Sequence, residues 1–118
     1  MAGQEQRSEK RVPHCAHVTV RVQSTPGHPE LDGTTFNCIT IDVAESGVRL
    51  KTDRPLPAYT ILDLDITLLN RVFPLAGCVA WSGEVADNKA FAGVRFTAPD
   101  DRLWPWKIEV ARAFRSRK

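Results

Sequence analysis

The chain has 118 residues, of which 42% are hydrophobic and 25% charged, and its formal net charge is +2. Those values fit one globular domain with a real core. No apolar run reaches the length of a membrane span, and the start MAGQEQRSEKR lacks the apolar stretch of a secretory signal, so the expected location is the cytoplasm.

In chain order, residues 1–12 read as a polar, flexible leader. From His14 to Gln23 the chain alternates, with Ala16, Val18, Val20 and Val22 on one face, which predicts a strand. STPGHPELDG is a loop, and Thr34 to Ile41 a second strand rich in β-branched and aromatic residues. After the turn DVAESG, Val48 and Leu50 alternate with Arg49 and Lys51 in a third. Tyr59 to Leu68 is a fourth, with Leu62, Leu64, Ile66 and Leu68 inward and Asp63, Asp65 and Thr67 outward. Val72 to Trp81 is a fifth, with a bend expected at Pro74 or Gly77. GEVADNK is a turn and Phe91 to Thr97 a sixth strand. The period then changes. Trp106, Val110, Ala113 and Phe114 fall at helical spacing, behind Asp100 and Asp101 and ahead of a run of arginines, which predicts one amphipathic helix over about 102–116. The fold class is mainly β: a six-stranded antiparallel split barrel over residues 13–118, closed by this C-terminal helix.

Charge is uneven along the chain. Residues 13–101 carry seven bases and eleven acids, whereas residues 102–118 carry six bases and one acid. An acidic body disfavours a nucleic-acid binder.

Two stretches carry chemistry. In RSEKR, Arg7 and Arg11 stand four apart; guanidinium groups bind phosphate oxygens and the O6/N7 edge of guanine bidentately. In DVAESG, Asp42 can accept from the N–H groups of guanine's other edge, and Gly47 permits close backbone approach. Either stretch alone is equally a solvated basic patch or an ordinary turn.

Together they resemble a known family. RSEKR has the form RxxxR, and DVAESG has the form [DN]xSxxG except at its third residue. Arg11 and Asp42 are 31 positions apart, and GCVAWSG and AGVRF are similar to the family's later strands. The chain resembles a PilZ domain, the bacterial receptor module for cyclic di-GMP, over about residues 7–97. The resemblance implies that Arg7 and Arg11 hold the ligand's phosphates and guanine edges, and that Asp42, Ala44 and Gly47 line the guanine pocket. Lys10, Ser46 and Trp81 are subsidiary contacts; some members stack an aromatic on guanine where Trp81 stands, though a Trp on a strand is equally a core residue. Ala44 replaces the usual Ser. One lost neutral hydroxyl contact is worth roughly 0.5–1.5 kcal/mol, about a two- to twelvefold change in affinity. The expectation is a non-enzymatic receptor with no cofactor besides its ligand. Binding would order the leader and change a surface for an unidentified downstream protein. The implied outputs are motility, biofilm or surface polymer, from a monomer or weak homodimer.

Two alternatives stay open: an adaptor of the same fold that has lost its ligand, and a small barrel that binds single-stranded nucleic acid. His14, Cys15, His17 and Cys38 have no zinc-site spacing. The cysteines read as buried free thiols. Asp63 and Asp65 read as a solvated face rather than a catalytic pair. Most of Trp104, Trp106 and Phe114 read as contacts with the barrel.

Overall fold

The computed structural model describes residues 11–85, 87 and 89–115. Arg7, Lys10 and the rest of the leader to residue 10 lie outside them, as does the expected helix end at 116. The strands are β1 Val12–Pro13, β2 His17–Ser24, β3 Thr35–Val43, β4 Gly47–Thr52, β5 Ile61–Leu68, β6 Arg71–Val85 and β7 Lys89–Phe96, followed by helix α1, Asp100–Arg115. The sheet order is β1-β3-β2-β5-β6-β7-β4, and β3 pairs again with β4. Six antiparallel strands therefore close into the expected barrel, which leaves no long unpaired edge.

The barrel interior follows the period-two pattern. Val18, Val20 and Val22 of β2 face Leu62, Leu64 and Ile66 of β5 in register, and all six are fully or almost fully buried. Each such side chain contributes about 1.5–3 kcal/mol of burial. Helix α1 closes one end. Trp106 is wholly buried and meets the rings of Phe73 and Phe96 edge-on, with centroids 5.5 and 5.4 Å away.

Several boundaries differ from the sequence reading. The first strand is interrupted at residues 14–16, so that β1 and β2 are separate pieces against β3. There the Thr40 hydroxyl accepts from the amide of Ala16 at 2.8 Å and donates to the His14 carbonyl, standing in for ladder bonds. Strand β5 begins at Ile61, because Tyr59 has φ 71° and Thr60 turns back on Pro57. Strand β6 continues to Val85, through residues expected in a turn. It is continuous at Pro74 and Gly77, and its register shift falls between Val79 and Trp81. Cys15 is exposed rather than buried, in the gap between β1 and β2; Cys38 is buried and Cys78 half-buried. Trp104 is 62% exposed, on the side of α1 away from the barrel.

Candidate ligand-binding site

The site is built by two bulges. In β3 the inward residues are Phe36, Cys38 and Thr40. Strict alternation would send Asp42 inward as well. The register of β3 on β4 shifts between Thr40 and Asp42, which sets Asp42 opposite Arg49, an outward residue of β4. In β6 the inward series is Phe73, Leu75 and Val79. Trp81 would continue it, but the shift at Ala80 sets it opposite Gly93 and leaves it 43% exposed. A β-bulge adds one residue to one strand and so re-aims every side chain after it. Trp81 is therefore not the core residue that alternation alone allows.

Register then lines up a row across the outer face: Asp42 on β3, Arg49 on β4, Gly93 on β7 and Trp81 on β6. A Cβ at Gly93 would lie 2.2 Å from the Trp81 Nε1, so the bare glycine is what lets the indole lie across β7. The close approach at Gly47 has a different partner: its Cβ would stand 2.2 Å from the Val94 carbonyl oxygen. Gly47 thus allows the DVAESG turn to press directly onto β7, where the Phe96 amide donates to the Ser46 carbonyl at 2.9 Å.

Asp42 is held from both sides. Arg11 donates to its Oδ1 through Nε at 3.1 Å and Nη2 at 2.9 Å. Arg49 donates to its Oδ2 through Nε at 2.8 Å and also through Nη2. Burial pushes the Asp42 carboxyl upward, but the hydrogen bonds from Arg49 and Arg11, with their charges, outweigh it and hold it below the usual carboxylate range. The same contact raises the Arg49 guanidinium.

Over this pair opens a cleft of about 510 Å³ whose lining includes Arg11, Ser46, Gly47, Arg49, Trp81 and Arg95. Of the residues singled out from sequence, Arg11, Ser46, Gly47 and Trp81 line it together. Asp42 is buried beneath the two arginines. Ala44 is fully buried and outside the lining, and its carbonyl accepts from the Trp106 indole at 2.8 Å. A hydroxyl at position 44 would thus be shielded from the cleft as it stands. Arg7 and Lys10 lie outside the described residues. Sequence reasoning missed Arg49, Arg95 and Gly93. Arg49 had a visible signal, since it stands two residues past Gly47 on the outward phase of its strand.

Cations, one carboxylate and an exposed indole suit an anionic ligand with a planar ring. No group of three or more metal-ligating side chains gathers among the described residues. No helix among them is long and apolar enough to cross a membrane.

The fold is a small closed antiparallel barrel capped by a C-terminal helix. The chain belongs to the PilZ domain family, whose pattern matches residues 5–111, and PilZ domains are a cyclic di-GMP receptor family. Three solved structures share the fold. The PilZ domain of YcgR from Escherichia coli, with cyclic di-GMP, is 15% identical with a TM-score of 0.67, over 95% of this chain and 96% of that one. The PilZ domain of CeSA from a cellulose-synthesizing bacterium is 16% identical with a TM-score of 0.61, over 88% and 93%. The Bacillus subtilis inhibitor of motility, MotI/DgrA, is 12% identical with a TM-score of 0.72, over 96% of this chain and 53% of that one. No curated protein matches the chain in sequence.

Proposed function

We propose that this chain is a non-enzymatic receptor that binds cyclic di-GMP in the cleft between Arg11, the DVAESG turn and Trp81. The observation that carries the reading is the doubly held Asp42 beneath an open cleft that an indole lines. Arg11 moves from Asp42 to the ligand's phosphate or guanine edge, joined by Arg7 from the leader, with Lys10 and Ser46 as subsidiary contacts. Arg49 retains its grip on Asp42 and keeps the carboxylate charged, so that its freed oxygen accepts from guanine. Trp81 stacks on a guanine ring. In this reading residues 1–12 act as the leader, anchored at its last residue by the β1 pairing of Val12 with Val43, and residues 13–118 act as the receptor body. The leader's change of partner alters a surface that a downstream protein reads in the cytoplasm. That YcgR carries cyclic di-GMP, and that MotI/DgrA is an inhibitor of motility, supports a motility or surface-attachment output.

The test is calorimetric titration of cyclic di-GMP into the wild-type chain and into Arg11→Ala, with GTP as competitor. The expected result is micromolar binding that GTP does not displace and that Arg11→Ala weakens at least about tenfold, as loss of a charge-assisted pair implies. Absence of binding by the wild type at high protein concentration overturns the receptor reading in favour of an adaptor that works through protein contacts alone.

A further inference from the structure

Three arginines line the cleft, and they are not equivalent. Arg11 and Arg49 share the Asp42 carboxylate. The exposed guanidinium of Arg95 has no hydrogen bond or ion pair among the described residues. Its strand address is fixed on both sides: Arg95 pairs with Gly47 on β4 and with Cys78 on β6, one outward position beyond the Gly93 that carries the Trp81 indole. Gly47 has no side chain to screen Arg95 from the DVAESG turn. Outward positions two residues apart on a strand lie roughly 7 Å apart, about the distance from the middle of a stacked base to its own phosphate side.

We propose that Arg95 is a phosphate-binding residue of this cleft, holding the phosphate of the nucleotide unit whose base lies against Trp81. The proposal rests on the cyclic di-GMP reading and adds to it. Neither short motif contains Arg95, and it works without the leader, because it sits near the end of a strand that is paired there on both sides. An arginine already neutralised by Asp42 must exchange partners to reach a phosphate. An unpaired one gives a full charge and its whole fork of donors at once.

The experiment titrates cyclic di-GMP into the wild type, Arg95→Ala and Arg95→Lys at low and high salt, with thermal unfolding of each as a control. Arg95→Ala should weaken binding roughly tenfold or more and flatten its salt dependence. Arg95→Lys should restore the salt dependence and part of the affinity, since a point charge remains without the planar fork. The melting temperature should be nearly the same in all three, because an exposed, unpaired side chain contributes little to stability. Wild-type binding that Arg95→Ala leaves unchanged in affinity and salt dependence overturns the proposal and spares the receptor reading. A wild type that binds no cyclic di-GMP overturns both. Equal loss in Arg95→Ala and Arg95→Lys, with a lowered melting temperature, also overturns the proposal, since it assigns Arg95 a role in the fold instead.

Discussion

The indole Nε1 of Trp106 donates to the carbonyl of Ala44 at 2.8 Å. One partner is the wholly buried centre of the C-terminal helix, and the other lies in the turn that borders the cleft. The bond joins residues 62 positions apart, so the turn and the helix hold one another in place. A change in the turn's shape has a direct route to the helix, whose outer side carries the exposed Trp104 and Ile108.

Trp106→Phe tests that joint. The ring contacts with Phe73 and Phe96 are largely kept, but the Ala44 carbonyl loses its buried donor. The expected cost is about 1–3 kcal/mol, measured by urea unfolding. A variant as stable as the wild type shows that water or another donor serves the carbonyl equally well.

Glycines near the site separate by what they touch. Gly47→Ala would drive a methyl group into the Val94 carbonyl, a backbone atom that cannot swing away. The expected loss is about 1–3 kcal/mol. Gly83→Ala meets nothing within 4 Å, and its stability should stay within about 0.5 kcal/mol of wild type. For Gly93→Ala the three atoms nearest the new methyl all belong to the Trp81 indole. It should displace the indole and weaken cyclic di-GMP binding more than it weakens the fold, which parallel unfolding and binding curves would show.

Much of the fold was legible because the forces behind it are periodic. Leu62, Leu64, Ile66 and Leu68 alternate without a break and are buried as a set. Asp100 and Asp101 mark the helix start because acids favour that end of the dipole. The site was less legible, because it depends on where alternation fails. Asp42 and Trp81 both follow a register shift, and nothing in a period-two pattern says at which residue a strand takes up an extra position. Arg49 was missed for the same reason: it meets Asp42 only once the β3 bulge has set the two opposite each other.

Asp42 gives a pH prediction with a definite sign. Its carboxyl is held below the usual range in the folded chain, and unfolding returns it to about 3.9. The stabilisation it contributes is whole above about pH 5 and fades as pH falls from about 4 toward the lower folded value. Asp42→Asn should therefore be less stable than wild type by a constant amount, about 1–3 kcal/mol, from pH 7 to 5. The gap should narrow below about pH 4. A gap independent of pH down to 3 would mean that the arginine contacts add nothing to the charged form.

The three thiols should react in order of access. Cys15 is exposed, whereas burial, with a smaller effect of Asp53, pushes the Cys38 thiol up to about 12. A thiol reagent at pH 8 should modify Cys15 rapidly, Cys78 more slowly and Cys38 only on unfolding. Mass spectrometry of the digested chain reads the order, and early modification of Cys38 would contradict its place in the barrel interior.

The most direct measurement is a titration of cyclic di-GMP into the ¹⁵N-labelled chain, followed by NMR. The indole resonance of Trp81 and the backbone amides of residues 44–49 and 93–95 should shift together and saturate. The Asp63 and Asp65 amides on the outer face of β5 should stay in place. A spectrum that does not change, or shifts confined to that outer face, would contradict the account.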